Sequence, residues 1–265
     1  MIGTLFARDW KANGKLLLLF AAVLTLYGSL VTAMFDPGLG ESLRQMEQSM
    51  PELFAAFGME NPGETLTEFL ANYLYGFILL AFPMVFLVIA ANRLVARYVD
   101  RGSMAYLLAS PHSRSALVMT QAAALLAFTL ALAAFVALLV TLVSRALFPG
   151  ALELDRFLPL NAGWCCLLIF LGGVCFLASC AFSDTRYTYG FGAGACILSL
   201  LIQMLSQTGG RLEVLKYLTP LTLFSPDGLI AGEGAAFAGS GILLAAGLSL
   251  YAAGCVLFCR RDLSL

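Results

Sequence analysis

Cysteine, histidine, serine and lysine are the residues of this sequence whose chemistry could suggest a reactive or binding site. The adjacent pair Cys165-Cys166 would suggest redox work, but a reactive thiolate needs a charged activating neighbour and this pair has none. No cysteine stands at a metal-ligand spacing with a histidine. All seven fall in apolar runs, and we interpret them as small hydrophobic side chains: Cys165, Cys166, Cys175, Cys180, Cys196, Cys255 and Cys259.

Serine and lysine give no stronger catalytic site. Ser240 is flanked by two glycines, but a serine nucleophile needs a base, and the only histidine, His112, lies outside the apolar runs. Small residues in membrane helices more often allow close helix packing. Gly14-Lys15 lacks the preceding glycine and the following hydroxyl of a phosphate-binding loop. The sequence therefore predicts neither an intramembrane enzyme nor an ATP site.

The composition excludes a water-soluble domain. Hydrophobic residues make up 60% of the 265 residues, charged residues make up 12%, and the mean hydropathy is +0.89. A soluble chain of this length needs more polar residues to cover its surface. The surface must therefore face lipid, and we expect an all-α integral membrane protein with one transmembrane domain over residues 1–265.

Six apolar runs are long enough to cross a bilayer, which takes about 20 residues. The predicted spans are residues 16–35, 69–91, 116–143, 161–182, 187–207 and 237–259. None of them contains Asp, Glu, Lys, Arg or His. Because proton-driven carriers need ionisable groups inside the membrane, the driving force for transport is expected to come from elsewhere.

The first run has an alternative interpretation as a signal peptide, because Arg8, Lys11 and Lys15 precede it. No small-residue cleavage pattern follows before Asp36, and the run is long enough to span a bilayer. We therefore expect it to remain in place as a helix.

Basic residues sort to one side of these six spans. The side that holds both termini carries ten Lys and Arg against four acids, a net +6, and the opposite side carries five against twelve, a net −7. The two values add up to the net charge of −1 for the whole chain. Positive charge favours the cytoplasmic side. Both termini are therefore predicted to lie in the cytoplasm, with the chain in the cell membrane.

Amphipathic segments flank the first span. In residues 1–15 the basic residues and Trp10 lie on opposite sides of a helical wheel, with Asp9 interrupting the apolar side. Two interpretations stay open, simple anchoring by positive charge or an interfacial helix lying on the cytoplasmic leaflet. Residues 36–68 repeat apolar side chains every three or four positions, which predicts an outer amphipathic helix. Its acids could attract cationic substrates, although a charge run is usually a solvated face.

Residues 92–115, between the second and third spans, are too apolar for a simple linker. Gly102 and Ser103 can break and cap a helix, and Pro111 ends a short amphipathic stretch before Arg114 opens the next span. The pattern predicts a short helix presented to the cytoplasm, and an ordinary structured loop is the alternative.

In this loop the chain resembles the permease subunits of ABC-2 type transporters. That family shows an acidic residue, a glycine, a small hydroxyl residue, a leucine pair and a proline followed by Ser-Arg. The matching residues here are Asp100, Gly102, Ser103, Leu107-Leu108, Pro111 and Ser113-Arg114. Residues 50–58, 215–220 and 226–232 are also similar to the family, and span count and order agree over nearly the whole chain. Arg101 departs from the pattern, since the family more often has a second acid there.

The resemblance implies a transport function with defined partners. The chain would be the permease of an ATP-binding cassette exporter, form a homodimer in membrane lipid, and bind a separate ATPase that carries ATP and Mg²⁺. It would hold no cofactor itself and bind no nucleic acid. The resemblance assigns the ATPase contact to a coupling element: Asp100, Arg101, Gly102, Ser103, Tyr106, Leu107, Leu108, Pro111, Ser113 and Arg114. A channel or scaffold subunit without ATP coupling is the alternative.

Three further features concern the membrane region. Residues 208–236 are too interrupted by Gly and Pro to span; the resemblance implies a re-entrant outer cap over the substrate path, whereas composition alone permits a surface loop. Pro83 should kink the second span, either as a hinge or as a fixed packing feature. Gly190 and Gly194 form a small-residue face for helix contact, which a dimer could use. An apolar path suggests a lipophilic or amphiphilic substrate.

Overall fold

The computed structural model describes residues 2–35, 49–57, 65–100, 102–104, 112–208 and 210–261, and the secondary-structure elements in these ranges are helical. The α-helices are α1 (Gly3–Ala33), α2 (Pro51–Ala56), α3 (Leu66–Leu70), α4 (Ile78–Leu94), α5 (Ala96–Asp100), α6 (Arg114–Leu147), α7 (Leu154–Ala181), α8 (Thr185–Gln207), α9 (Pro226–Ala231) and α10 (Gly234–Arg260). A π-helix, Ala71–Tyr75, lies between α3 and α4, and two 3-10 helices, Gly210–Tyr217 and Pro220–Leu223, lie between α8 and α9.

Six helical segments are long and apolar enough to cross a membrane, which confirms the predicted number of spans. They are α1, α4 continued by α5, α6, α7, α8 and α10. Most extend beyond the apolar runs of the sequence. For example, α6 has 34 residues, or about 51 Å at 1.5 Å per residue, whereas a hydrocarbon core is about 30 Å thick. The longest helices therefore exceed the thickness of the membrane core.

The segment of residues 1–15 is not a separate element, because α1 begins at Gly3 and continues into the first span without a break. Asp9, which interrupts the apolar side of this segment, points into the protein and is 1% exposed. Asn13, one turn further on, is buried as well and donates a hydrogen bond from Nδ2 to the backbone oxygen of Asp9. This side of α1 therefore packs against protein.

Helix α7 lies at the centre of the bundle and contacts α4, α6, α8, α9 and α10. In its most apolar window 67% of the residues are buried, against 22% for α8. Phe157, Trp164 and Phe176 of α7 are fully buried. The sequence does not distinguish the central helix from the peripheral ones, because lipid and protein interior favour the same apolar side chains.

Glycines allow α7 and α10 to pack backbone against backbone. A Cβ atom at Gly173 would lie 2.7 Å from the carbonyl oxygen of Gly247. A Cβ atom at Gly247 would lie 2.9 Å from both the Cα and the backbone nitrogen of Phe170. Because backbone atoms cannot rotate away as a side chain can, only glycine fits at these two positions.

The second span is interrupted near its first residues. A capping box between Thr65 and Glu68 starts α3, and the π-helix follows directly. The helix breaks at Phe77, whose φ of −129° and ψ of −48° are not helical, before α4 begins at Ile78. The sequence predicted a single continuous run over residues 69–91, since the apolar pattern carries no sign of this break.

Pro83 lies inside α4, and its missing N–H leaves the carbonyl of Leu79, one turn earlier, without its usual helical partner. Trp164 of α7 supplies the replacement, because its indole Nε1 donates to the Leu79 oxygen at 2.8 Å. Both residues are buried. Of the two roles left open for Pro83, this contact supports a fixed packing feature between α4 and α7.

Candidate functional site

The two ends of the coupling element lie within the described residues, and its middle does not. Asp100 is the last residue of α5, and Gly102 and Ser103 follow it. Ser113 caps α6, and Arg114 is its first residue. The other predicted members lie outside the described residues: Arg101, Tyr106, Leu107, Leu108 and Pro111. The geometry of the candidate site can therefore be described only at the two ends of the element.

The first end of the element is a sharp turn after α5. Gly102 has a φ of +67°, in the left-handed region that glycine adopts at little cost, and its N–H donates to the Val99 carbonyl at 3.0 Å. The Ser103 hydroxyl donates to the Tyr98 carbonyl at 3.2 Å. Met104 is 2% exposed and belongs to the hydrophobic core. These contacts attach the start of the element to the bundle.

The second end is a capped helix start. The Ser113 hydroxyl accepts a hydrogen bond from the Ala116 N–H at 3.2 Å, which satisfies one of the free donors at the start of α6. Arg114, the first residue of α6, donates from Nη1 to the backbone oxygen of Arg261 at 3.3 Å, just beyond α10. The element therefore leads directly into one long helix and contacts the end of another.

Further hydrogen bonds connect the same ends of other spans. The Thr185 hydroxyl, at the start of α8, donates to Asp100 Oδ2 at 3.0 Å. Arg261 donates from Nη1 to the Cys180 carbonyl near the end of α7, at 3.2 Å, and from Nη2 to the Ser183 hydroxyl. Sequence reasoning counted Arg261 only as one inner positive charge. These hydrogen bonds could not be predicted from the position of Arg261 at the end of an apolar run, because the partners lie about 80 residues away in the chain.

A partly buried polar group, in which Asp9 is buried and Arg8 is exposed, joins α1 to α5 beside the coupling element. The Tyr98 hydroxyl donates to Asp9 Oδ1 at 3.1 Å and accepts from Arg8 Nη2 at 2.8 Å. The guanidinium of Arg8 also lies 5.3 Å from the centre of the Tyr98 ring. The sequence pattern did not pair these residues, because Asp9 appeared only as an interruption of an apolar face. The group connects the first span to the helix from which the coupling element begins.

A cavity of about 270 Å³ opens at the other end of the bundle. It lies between the break in the second span, the end of α8 and the segment before α10, and its lining mixes polar and apolar side chains. Its polar members include Asn72, Gln203, Ser206 and Asp227. Among the residues that the structure describes, Gln203 Oε1 is buried without a hydrogen-bond partner. Burial, and then the nearby Glu68 carboxylate, raise the pKa of Asp227 above its usual range.

The segment that borders this cavity folds back along α8. The Thr219 hydroxyl donates to the backbone oxygen of Ser199 at 3.2 Å. Ser199 precedes the last residue of α8 by eight positions, or about 12 Å along the helix axis. Leu221, Leu229 and Ile230 of the same segment are buried. The segment is thus packed into the bundle over part of its length.

Comparison with known families identifies the protein class. The sequence profile described as "ABC-2 family transporter protein" matches residues 8–263. This chain belongs to the ABC-2 transporter family. It is a multi-pass transmembrane permease component, it is not itself catalytic, and the ATPase of such a transporter is a separate subunit. No curated protein and no solved structure matches the chain at a significant level.

The residues with possible chemistry occupy packing positions in this permease. The Ser240 hydroxyl is buried and donates to the Ala236 carbonyl of its own helix at 3.0 Å. The thiols of Cys175 and Cys196, on α7 and α8, are 3.7 Å apart and both buried. Within the described ranges no group of three or more His, Cys, Asp and Glu side chains is placed to hold a metal ion.

Proposed function

We propose that this permease is the membrane subunit of an exporter and that the ATPase binds it through the coupling element, residues 100–114. The observation that carries the proposal is the set of hydrogen bonds around the two described ends of the element. Asp100 is bound by Thr185 at the start of α8, and Arg114 binds the residue that follows α10. A force applied to this element would therefore reach several spans at once.

The proposed mechanism is a rigid-body transmission. Closure of two ATPase subunits on ATP would displace the coupling element, and α6, which begins within it, would carry that displacement across the membrane. Helices transmit such motion because they are stiff along their axes, and allosteric coupling needs an element with two arrangements that both sites bias. The hydrogen bond between Asp9 and Tyr98 joins α1 to α5, so α1 would move together with the coupling element.

The proposed orientation places both termini and the coupling element in the cytoplasm. The support is the distribution of charge, with a net +6 on the side of the termini and −7 on the other. The cavity lined by Gln203 and Asp227 then lies at the outer face. We propose that the segment of residues 208–236 caps the substrate path there. The support for this cap is the hydrogen bond from Thr219 to Ser199, which shows that the segment folds back along α8.

The proposed dimer contact is one face of α8. Among the described residues, a Cβ atom at Gly190 or at Gly194 would meet nothing within 4 Å, so this part of the subunit does not pack against these glycines. Gly192, between them, instead packs against Cys175 and Ala178 of α7. The free face also presents exposed Phe191 and other large apolar side chains: Tyr187, Ile197, Leu198, Leu201 and Leu205. Small-xxx-small faces of this kind allow helices of two subunits to approach closely.

The purified complex is expected to contain two permease and two ATPase subunits when its mass is measured after extraction in mild detergent. Gly190→Leu combined with Gly194→Leu should shift the permease to a monomer, because two new side chains of four carbons each would separate the two α8 helices. Native mass spectrometry measures both results.

Gly241→Leu is the matched control, since a Cβ atom at Gly241 of α10 likewise meets nothing within 4 Å. This variant should remain dimeric. A dimer that survives both α8 substitutions would place the subunit contact elsewhere, and a permease that never co-purifies with an ATPase would favour a channel or scaffold.

Cysteine labelling is expected to show opposite sides of the membrane for the start of α8 and for the 3-10 helix that follows its end. Tyr217→Cys, at a position where the tyrosine is 82% exposed, should react with a membrane-impermeant maleimide in intact cells. Arg186→Cys, exposed at the start of α8, should react only after the membrane is permeabilised. The unsubstituted protein, with its seven cysteines, supplies the background signal. The reverse labelling pattern would overturn the proposed orientation.

A further inference from the structure

A second cavity, of about 210 Å³, lies between α1 and the end of the second span, beside the coupling element. We call it the basic cavity, and its lining residues are Ala12, Asn13, Arg93, Arg97, Tyr98 and Ser103. We propose that the basic cavity binds the phosphate headgroup of an anionic phospholipid. This inference goes beyond the proposed export function and does not depend on it.

Two arginines give the cavity its charge. Arg93 and Arg97 are four residues apart across the junction of α4 and α5, and both contribute to the same wall. Arg93 is half-buried and Arg97 is exposed. Within the part of the chain that the structure describes, neither guanidinium has an ion-pair or hydrogen-bond partner. A guanidinium presents several N–H donors in a planar fork that fits phosphate oxygens, so this pair is suited to an anion.

Asp9, whose partner Tyr98 lines the cavity, does not cancel this charge. The carboxylate of Asp9 is engaged by the Tyr98 hydroxyl, and Arg8 donates to the same hydroxyl from the other side. Asp100, at the end of α5, accepts from Thr185. With Arg8 offsetting Asp9, the charges of Arg93 and Arg97 remain uncompensated among the residues that the structure places. About 210 Å³ also exceeds the roughly 30 Å³ that one water molecule occupies, so a phosphate group with several waters has room.

The surface of α1 continues the cavity into a path for an acyl chain. With 100° per residue, one stripe about 60° wide runs along α1 and contains these exposed residues: Arg8, Ala12, Lys15, Leu19, Leu26 and Leu30. Ala12 belongs to the stripe and also lines the cavity. Leu19 is 60% exposed, Leu26 is 64% exposed and Leu30 is 53% exposed. The stripe therefore has basic residues near the start of α1 and exposed leucines further along the helix. A phospholipid has the same order of charged headgroup and apolar acyl chains.

This continuity favours a lipid over the other anions that an arginine pair could bind. Free inorganic phosphate would use the guanidinium groups but would gain nothing from the leucine stripe. An acidic surface of a partner protein would approach from the aqueous side and would also leave the stripe unused. Basic pockets at the membrane surface, between transmembrane helices, are suited to lipid headgroups because charge and apolar contact combine there.

The test is a lipid titration of the delipidated permease, followed by native mass spectrometry, with phosphatidylglycerol and phosphatidylcholine as the two probes. The unsubstituted protein is expected to bind phosphatidylglycerol more tightly than phosphatidylcholine. Arg93→Gln combined with Arg97→Gln should weaken phosphatidylglycerol binding by about 25-fold, at about fivefold per arginine, and leave phosphatidylcholine binding unchanged. Arg145→Gln combined with Arg186→Gln removes the same charge from positions outside the cavity and should keep the preference.

Three outcomes would overturn the proposal. The first is an unchanged preference for phosphatidylglycerol in the variant without Arg93 and Arg97. The second is displacement of bound phosphatidylglycerol by inorganic phosphate at equal concentration, which would indicate a site for the free ion. The third is loss of the ATPase from the purified complex of that variant while its lipid preference persists, which would assign the arginines to the partner protein. Circular dichroism of each variant establishes that the helices are intact.

Discussion

Reversal of the charges of Arg101 and Arg114, combined with Pro111→Gly, is expected to abolish the ATP hydrolysis that the permease stimulates in its partner. The physical reason is the loss of the contact through which the ATPase would move α6. Reversing two arginines lowers the net charge on the side of the termini by four, from +6 to +2, which stays above the −7 of the opposite side. Membrane insertion should therefore be retained.

The measurement is the ATPase rate of the reconstituted complex relative to the ATPase alone. Arg145→Glu combined with Arg156→Glu is the matched control, because it reverses two arginines that lie at the opposite end of the bundle, at the end of α6 and the start of α7. The control should retain full stimulation. If the triple variant inserts normally and stimulates hydrolysis as the unsubstituted permease does, the coupling proposal is wrong.

Gly247→Ala is expected to destabilise the permease strongly although it adds a single methyl group. That methyl would lie 2.9 Å from the Cα and nitrogen of Phe170 and 3.0 Å from the carbonyl carbon of Ile169. All three are backbone atoms, so α7 and α10 would have to separate along their contact. Overpacking usually costs about 1–3 kcal/mol, and we expect about 3 kcal/mol here because no side chain can move aside.

Thermal unfolding of the purified protein, followed with a thiol-reactive dye, measures this effect, because unfolding exposes the buried thiols of Cys175, Cys180 and Cys196. Gly241→Ala, on the same helix, is the control. Its methyl group meets nothing within 4 Å, and alanine favours a helix over glycine by about 1 kcal/mol, so this change should be neutral or stabilising. Equal unfolding temperatures for the two variants would contradict the close α7–α10 contact.

The spans could be predicted from the sequence because the bilayer imposes a simple requirement. About 20 apolar residues are needed to cross it, and six such runs occur. The breaks and bends inside the spans could not be predicted in the same way. The break at Phe77 falls within a continuous apolar run, and the partner of the carbonyl freed by Pro83 is an indole 85 residues away.

The candidate coupling site was predicted from a family resemblance over a short loop, and the hydrogen bonds around it were not. Ser113 was expected within the element, and its role as the cap of α6 follows from local geometry. Thr185 and Arg261 gave no signal, since each contacts a residue or a turn that is distant in the chain. The pairing of Asp9 with Tyr98 was likewise invisible, because a pattern along one helix does not show what a second helix presents.

The sequence by itself determined the class of the protein, the number of spans and the separation of charge between the two sides. These properties depend on composition and on runs of adjacent residues, because each run must be apolar enough and long enough to cross the bilayer. Only the tertiary structure decided which helix is central, where glycine is required and which arginines have no partner among the described residues. Those properties depend on distances between side chains far apart in the chain, and in a membrane the apolar lipid and the apolar protein interior select the same residues.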